Sequence, residues 1–279
     1  MKFIVTRDVE EFAARASDFL AARVECNILA TVLMSILDGA HAGATPLFVL
    51  GVDDTGDLHY AALRTPPWVM LTSTLDPPAA DALLAQWLRA DPQLPGVSGP
   101  PDTARAIARA WSDQTGGHTQ CRMSEALHEL EQVQDPPQPA EGDLRLPGEE
   151  DRQLLIEWMK AFTLEAGLAG ADQAEAIVDV RLAHDALLVW HHDRAVSLVG
   201  SAPEVAGVVR IGPVYTPPEH RRRGYAGTAV AAASRRALAG GARRCILFTD
   251  VANPTSNKIY AEVGYRRIAG WEEHAFNPA

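Results

Sequence analysis

Hydrophobic and polar positions along the chain predict helices that alternate with short strands. In the first half, apolar residues at helical spacing predict helices, and compact apolar runs predict strands. The predicted helices cover residues 12–37, 81–89 and 103–111, and the predicted strands cover residues 47–52, 58–63 and 68–72. Asp and Gly residues predict a turn at 53–57, and Pro and Gly residues predict a loop at 92–101.

The second half continues this alternation. Its apolar spacing predicts helices at residues 149–166, 172–182, 225–239 and 255–263. Strands are predicted at residues 144–146, 186–190, 195–199, 205–215, 245–249 and 265–275, of which 186–190 and 195–199 form a hairpin. Helices that alternate with strands around a mixed sheet place the fold in the α/β class.

A Pro-rich polar segment, residues 134–148, interrupts the pattern and is typical of a linker. It predicts an N-terminal α/β domain over residues 1–137 and a second domain over residues 144–279. The two halves have a loosely similar order of elements without a residue-level repeat. A diverged tandem duplication is therefore left open.

Composition limits the partners and the compartment. The chain has 279 residues, of which 47% are hydrophobic, and its formal net charge is -11. Nucleic-acid binding requires a basic surface, so this charge argues against a nucleic-acid partner. The apolar stretches are too short for a membrane span, and the first residues do not resemble a secretory signal. Cys26, Cys121 and Cys245 lack metal-ligand spacing, so we expect no metal and a reduced, cytoplasmic environment.

One basic segment of this acidic chain lies between the strand 205–215 and the helix 225–239. It reads Arg221-Arg222-Arg223-Gly224-Tyr225-Ala226-Gly227. The first N–H groups of a helix have no partner within the helix, and the helix dipole is positive at this end. Gly224 and Ala226 keep side chains from blocking the approach of an anion to the backbone. The segment therefore predicts a site for a ligand that carries a diphosphate.

Three alternatives to this anion site differ in how well the residues fit them. On the loop alone, a surface helix start with a chance cluster of arginines stays open, because short motifs give false positives. A Walker-type phosphate loop is a poorer match, since no Gly-Lys-Ser/Thr follows. The Gly-x-Gly-x-x-Gly pattern of dinucleotide-binding folds is absent from the sequence.

A second motif follows in the same half. Asn253-Pro254-Thr255-Ser256-Asn257-Lys258-Ile259-Tyr260 comes after the strand 245–249 and precedes Gly264-Tyr265. The two motifs together resemble the GNAT superfamily of acyl-coenzyme A dependent N-acyltransferases, whose pattern Arg/Gln-x-x-Gly-x-Gly/Ala is matched by Arg221 to Ala226. The resemblance covers about residues 144–276. It implies a mostly antiparallel sheet flanked by helices, with acetyl-coenzyme A (acetyl-CoA) as cosubstrate. The first half has no comparable loop, so if it shares the fold it is a degenerate copy without a cofactor.

The resemblance also implies roles for individual residues. The backbone of Val214, Tyr215 and Thr216 would pair with the pantetheine arm as an added strand does. The pyrophosphate would bind to the segment 221–227. Asn253 would hydrogen-bond to the arm, Ser256 would lie near it, and Tyr260 would donate a proton to the departing thiolate. The alternative for Tyr260 is a core tyrosine whose hydroxyl has a protein partner.

The group that accepts a proton from the attacking amine is not evident in the sequence. A free lysine-type amine has a pKa of about 10.4, so it must lose a proton before it attacks. Some members of the family use a carboxylate on the strand before the pyrophosphate loop, but residues 208–215 contain none. A water chain to the backbone could serve instead. Asp250 and Glu157 are weak candidates that are better explained as a helix cap or a surface charge.

Two further groups of residues have open interpretations. Adjacent histidines in a strand point to opposite faces, so His191-His192-Asp193-Arg194 favours a solvated hairpin turn over a shared metal ion. Trp158, Phe162 and Trp190 would either wall an acceptor pocket or pack in the core.

These observations lead to two hypotheses. In the first, the protein moves an acetyl group from acetyl-CoA directly to an amine of a small molecule, without an acyl-enzyme. In the second, it is a CoA-binding regulatory or interaction module without turnover, because the strand carboxylate is missing. In a variant of the first, the N-terminal half closes the acceptor pocket. No nucleic acid or membrane is expected as a partner, and a homodimer is left open.

Overall fold

A computed structural model describes residues 1–39, 45–168 and 170–279 of the chain. Its contacts divide into two compact units. The first unit contains Met1–Ala126 and Ala269–Ala279, and the second contains Leu127–Ile268. No helix among the described residues combines the length and the apolar character needed to cross a membrane.

The described residues of the first half form six strands and four helices. In chain order these are β1 (Lys2–Thr6), α1 (Val9–Ala21), α2 (Asn27–Leu37), β2 (Leu47–Val52), β3 (Leu58–Arg64), β4 (Met70–Thr72), α3 (Ala80–Ala90), β5 (Gly96–Gly99), α4 (Pro101–Thr115) and β6 (His118–Leu130).

The second half repeats this order of strands and helices. Its elements are β7 (Asp143–Arg145), α5 (Arg152–Glu165), α6 (Ala174–Ala183), β8 (Leu187–His192), β9 (Arg194–Ser201), β10 (Val208–Tyr215), α7 (Tyr225–Ala239), β11 (Arg244–Asp250), α8 (Pro254–Val263) and β12 (Arg266–Asn277). Both halves therefore read strand, two helices, three strands, helix, strand, helix, strand.

The sheet of each unit contains a parallel pair of strands. In the first unit the strands lie in the order β1-β2-β3-β4-β5-β12, and β4 and β5 are the parallel pair. In the second unit the order is β6-β11-β10-β9-β8-β7, and β10 and β11 are the parallel pair. The pairs β7–β8, β8–β9 and β9–β10 are antiparallel. The predicted class, a mixed and mostly antiparallel sheet flanked by helices, is confirmed.

The division into units differs from the predicted domains 1–137 and 144–279, because the chain changes unit inside β6 and again inside β12. The Pro-rich segment predicted as a linker packs within the second unit. The Gln134 N–H donates to the Val263 carbonyl at 2.8 Å, and the Ala140 N–H donates to Thr228 Oγ1 at 2.9 Å. Proline keeps a segment out of a sheet by removing an N–H donor, but it does not prevent packing.

The prediction that residues 12–37 are mostly helical is confirmed, and the region consists of two helices separated by a short 3-10 turn at Val24–Cys26. Two other local predictions are wrong. The loop 92–101 contains β5, where a side chain on Gly96 would meet the His274 carbonyl at 2.3 Å. The segment 191–194 is mostly strand, since β8 ends at His192 and β9 begins at Arg194. Asp193 alone forms the tight turn, with a φ of 62°.

Helices cover both faces of the sheet in the second unit. Alternate residues of a strand point to opposite faces, and β8 shows this clearly. Leu188 and Trp190 pack in a cluster with α7, whereas Leu187 and Val189 pack in a cluster with α5 and α6. Trp158 and Trp190 are core residues in these clusters, so the sequence alternative of an acceptor wall does not apply to them.

Candidate functional site

Strands β10 and β11 leave an opening in the sheet of the second unit. They pair only from Val208 with Arg244 to Arg210 with Ile246. Beyond this fork β10 continues to Tyr215 while it pairs with β9 on its other side. Within the described chain, the β10 backbone from Ile211 to Tyr215 thus offers an open edge toward β11. An extended ligand can add its own hydrogen bonds to such an edge.

The open edge leads to the basic loop. A 3-10 turn at Pro218–His220 follows β10, and residues 221–224 then connect it to α7. Arg222 and Gly224 have positive φ values of 62° and 80°, which turn the chain sharply into the helix. This places the predicted anion segment directly at the N-terminus of α7.

The N-terminus of α7 has no side-chain cap. Gly224 is the N-cap residue and has no side chain that could accept from the helix. The first helical hydrogen bond runs from the Thr228 N–H to the Gly224 carbonyl at 3.1 Å. The N–H groups of Tyr225, Ala226 and Gly227 precede this bond and have no acceptor within the helix. The arrangement fits a phosphate group, which accepts hydrogen bonds from such amides.

The three arginines of the loop are held differently. Arg221 Nε donates to the Thr216 carbonyl at 2.8 Å, and its Nη2 forms an ion pair with Glu165 at 2.6 Å. Its guanidinium therefore fastens the loop to the end of β10. Arg222 and Arg223 are exposed, and their side chains have no hydrogen bond or ion pair with the described residues. These two side chains are the cations available to a phosphate.

Glu165 was missed by the sequence reasoning. It is the last residue of α5, and its carboxylate accepts from the Tyr215 hydroxyl at 2.9 Å as well as from Arg221. Burial raises the pKa of this carboxyl, but the hydrogen bonds and the charge of Arg221 lower it further, below its ordinary value. Glu165 is thus an ionised anchor for the loop. Its partners lie 50 and 56 residues away, so no local pattern predicts it.

The Tyr225 side chain anchors the start of α7 from within. It is 6% exposed, and its hydroxyl hydrogen-bonds to Nδ1 of His192 at 2.9 Å. Of Tyr225, the backbone N–H is therefore the group left for the predicted contact with the cofactor. His192 is half-buried at the end of β8, so the prediction of a solvated turn is wrong for this histidine.

The second motif fixes the start of α8. Asn253 is the N-cap residue, and its Oδ1 accepts from the Ser256 N–H at 3.1 Å. Asn257 Nδ2 donates to the carbonyls of Asp250 and Asn253 at 2.9 and 2.7 Å. Because the Asn253 oxygen is used by the cap, its amide NH₂ is the group left for a ligand. Ser256 lies partly exposed in the first turn.

Tyr260 and Tyr265 lie edge to face, with ring centroids 6.2 Å apart, yet their hydroxyls differ. The Tyr265 hydroxyl is paired with Ser234 Oγ at 2.8 Å and belongs to the core. The Tyr260 hydroxyl has no hydrogen-bond partner among the described residues, although burial raises its pKa to about 12. The alternative of a core tyrosine with a satisfied hydroxyl thus describes Tyr265, and Tyr260 keeps a free donor.

The carboxylates considered as bases have structural partners. Asp250 Oδ1 accepts from the Ala252 N–H at 2.8 Å in the turn after β11. Glu157 is exposed on α5 and accepts from Gln153 Nε2 at 3.3 Å. Glu165 is held by Arg221 and Tyr215. None of these contacts identifies a carboxylate that would take a proton from an amine.

One group of potential metal ligands occurs in the described parts of the chain. The donor atoms of Cys121, Glu272 and His274, in the first unit, all lie within 4.8 Å of one another. Glu272 accepts two hydrogen bonds from Arg105 and shares one with His274 Nε2 at 2.9 Å. Arg105 and His274 therefore both hydrogen-bond to the Glu272 carboxylate.

Comparisons with known proteins show which family the second half resembles. A model described as the acetyltransferase (GNAT) family matches residues 152–265. The resemblance of the second half to this family is therefore confirmed. A search of curated proteins gives no significant match.

Several solved structures are similar over the whole chain. The GNAT acetyltransferase of Colwellia psychrerythraea is 11% identical, with a TM-score of 0.62 and coverage of 100% of both chains. The GCN5-related N-acetyltransferase of Sphaerobacter thermophilus is 16% identical, with a TM-score of 0.62 and coverage of 98% of this chain and 95% of that one. A tandem GNAT protein from the clavulanic acid biosynthesis pathway is 14% identical, with a TM-score of 0.60 and coverage of 98% and 97%. At these identities the likeness concerns the fold, and it extends to the first half as well as the second.

Proposed function

We propose that the GNAT acetyltransferase domain in this chain moves the acetyl group of acetyl-CoA directly to an amine of a small molecule. The observation that carries the proposal is one continuous surface in the second unit. The open edge of β10 leads to the uncapped N-terminus of α7, as an extended arm leads to a diphosphate.

The residues of this surface divide the binding between them. The N–H groups of Tyr225, Ala226 and Gly227, with the Arg222 and Arg223 side chains, would hold the diphosphate. The backbone of Val214 to Thr216 and the amide of Asn253 would hold the arm. From Thr216 back to Gly212, a strand spans about 13 Å. The arm would thus bring the thioester close to the fork between β10 and β11.

The reaction requires one bond to form and one to break. Acetyl-CoA supplies a thioester, whose carbonyl carbon bonds to the amine nitrogen while its carbon–sulfur bond breaks. Tyr260 faces the sulfur in this arrangement and donates a hydrogen bond as negative charge develops there. The amine proton leaves to solvent.

The pKa of Tyr260 determines how far its proton moves. A thiol has a pKa of about 8.5, whereas burial raises the pKa of Tyr260 to about 12. Complete transfer to the thiolate would be unfavourable by about 5 kcal/mol. Tyr260 therefore acts chiefly as a protonated hydrogen-bond donor, and the thiolate takes its proton from water.

Calorimetry with acetyl-CoA and the full chain tests the proposal first. Binding followed by release of free CoA in the presence of an amine panel is the expected result. Absence of acetyl-CoA binding would contradict the proposal.

The missing carboxylate on β10 favours a second candidate, a CoA-binding regulatory module. Tight acetyl-CoA binding without acetylation of any amine in the panel would support this candidate against the first.

A further inference from the structure

A guanidinium lies beside the fork of the sheet in the second unit. Arg181, in the last turn of α6, donates from Nη1 to the Gly212 carbonyl at 3.1 Å. A side chain on Gly200 of β9 would meet the same Nη1 at 2.9 Å and the Gly212 carbonyl at 2.2 Å. Glycine at position 200 thus makes room for the guanidinium to lie against the strands.

The charge of Arg181 has no carboxylate partner among the described residues. Its hydrogen bond to Gly212 uses one of the five N–H donors of a guanidinium. Burial, and then the neighbouring charge of Arg210, lower the pKa of Arg181 to about 10. Other arginines of this unit differ, since Arg145 pairs with Asp151 and Arg244 pairs with Glu129. A partly buried cation is costly unless an anion pairs with it.

The position of this cation matches the end of the proposed reaction path. Gly212 lies just beyond the last pair of β10 and β11, in the irregular stretch between Ile211 and Val214. An arm that follows β10 from Thr216 toward the fork carries its thioester to this level. The acceptor must reach the same place for its nitrogen to attack.

We propose that Arg181 binds an acidic group of the acceptor, so that the acceptor is an amine that also carries a carboxylate. This inference rests on the proposed acetyltransferase function. A guanidinium offers two parallel N–H donors that match the two oxygens of a carboxylate.

The charge of Arg181 also bears on the missing general base. A nearby cation lowers the pKa of an amine because it disfavours the protonated form of the amine. The Arg181 guanidinium near the acceptor therefore raises the share of neutral, nucleophilic amine. A carboxylate on β10 would have the opposite effect on the amine pKa, and residues 208–215 contain none.

Matched acceptors test the proposal with the full chain. Rates of CoA release are measured for a panel of amino acids, for the corresponding amino-acid amides and for the corresponding aminophosphonic acids. For the wild type we expect kcat/KM to favour the carboxylate over the amide by about 10- to 100-fold, the usual worth of charge-assisted hydrogen bonds. The kcat/KM for the carboxylate acceptor is also expected to exceed that for the phosphonate acceptor.

Substitutions locate the preference. In Arg181→Gln, the kcat/KM values for the carboxylate and the amide acceptors are expected to lie within about twofold of each other. The affinity for acetyl-CoA should stay unchanged. Arg181→Lys keeps the charge but loses the paired donors, so it should keep part of the preference. Arg236→Gln, an exposed arginine in the last turn of α7, is the matched control and should keep the full preference.

Each contrary result has a distinct meaning. Equal wild-type rates for carboxylate and amide, or a preference for the phosphonate, would overturn the carboxylate site while leaving the acetyltransferase proposal intact. Failure to bind acetyl-CoA would instead contradict the proposed function. A full preference in Arg181→Gln, or in Arg181→Lys if the first variant does not fold, would overturn the role of Arg181.

Discussion

The two halves of this chain have the same order of elements but prepare a helix N-terminus in opposite ways. In the first half, a 3-10 turn at Pro77–Ala79 runs directly into α3 at Ala80. In the second half, the corresponding turn at Pro218–His220 is followed by residues 221–224 before α7 begins. The second half thus has a four-residue loop that the first half lacks.

The chemistry of the two helix starts follows from this difference. Pro77 and Pro78 have no N–H to offer, and Asp81 puts a negative charge in the first turn of α3. The loop before α7 supplies cations and free amides instead. A shared fold therefore carries no function by itself, and a few residues at one helix start separate a candidate site from a supporting unit.

A second pair of helices shows the same contrast. Helices α4 and α8 both begin with proline, and their seventh residues are Ile107 and Tyr260. Ile107 is fully buried in the core of the first unit, whereas Tyr260 is partly buried with a free hydroxyl. The same position on a helix supplies core packing in one half and a free hydroxyl in the other.

The largest effect is expected from the loop glycine. Gly224→Val puts a branched side chain at a φ of 80°, with its Cβ 2.9 Å from the Gln138 carbonyl. The loop must shift, and we expect calorimetry to show at least about a 100-fold loss of acetyl-CoA affinity, since several amide contacts are misplaced together.

The matched control for this change lies in the first unit. Gly116 ends α4 at a φ of 74° in open space, so Gly116→Val imposes a comparable backbone strain of about 1–3 kcal/mol. It should lower the thermal stability without changing acetyl-CoA affinity. An equal loss of affinity in both variants would break the distinction between the two halves.

The next largest effect is expected from removal of the Tyr260 hydroxyl in α8. Tyr260→Phe should lower kcat by about 10- to 100-fold, because it removes one hydrogen bond to a developing charge. The KM for acetyl-CoA should stay within about twofold. Tyr265→Phe removes the hydroxyl that pairs with Ser234, so it should reduce stability and leave kcat unchanged. An equal loss of kcat and acetyl-CoA affinity in Tyr260→Phe would contradict the donor role.

A smaller effect, on stability alone, is expected from the charges of the first unit. Arg105→Gln leaves the buried Glu272 without its main partner and should lower the urea midpoint of unfolding slightly at pH 7, since Arg105 itself is largely exposed and its charge is screened by solvent. Turnover should not change. A loss of turnover without a loss of stability would give this cluster a role in the reaction.

The pH dependence of this loss has a definite sign. Burial raises the pKa of Glu272, but the hydrogen bonds from Arg105 and His274 outweigh it and hold the pKa below its ordinary value. The stabilisation is therefore present above pH 4.5, the ordinary value, and is lost as the pH falls through the lowered pKa. The difference between Arg105→Gln and the wild type should shrink in acid.

The last prediction is that kcat does not change with pH over a range in which an ordinary tyrosine would titrate. A proton donor loses its function as the pH rises through its pKa, and that of Tyr260 is raised to about 12. The kcat should therefore show no fall due to this tyrosine between about pH 8 and 10.5. With the ordinary tyrosine pKa of about 10, half of the hydroxyls would be deprotonated at pH 10, and half of their contribution to kcat would be lost there. A half-loss at pH 10 that is absent in Tyr260→Phe would contradict the raised pKa.

Local patterns in the sequence were sufficient for much of the second half. The helix 225–239 and both motifs are placed as predicted, because apolar spacing and capping residues act over a few positions. Strands β1 and β6 were not predicted. The first residues of β6 are largely exposed, so they show no apolar run that would mark a strand.

Distant contacts could not be predicted from such patterns. Glu165 meets Arg221 only in the folded unit, and Arg181 reaches Gly212 from another helix. The return of residues 269–279 to the first unit depends on which strand lies beside which. Pairing partners are chosen by packing in three dimensions, and periodicity along the chain does not record them.

The pairing of β12, the last strand of the chain, with β5 of the first unit has a consequence for biosynthesis. The N-terminal part of a chain leaves the ribosome first, and domains generally fold as units as they emerge. Here β5 must wait for its neighbour at residues 272–275, which are translated more than a domain later. The first unit can complete its sheet only after the second has been synthesised. A fragment cut at the Pro-rich segment would leave an open sheet edge and an unpaired strand on each piece, because β5 would lose β12 and β11 would lose β6.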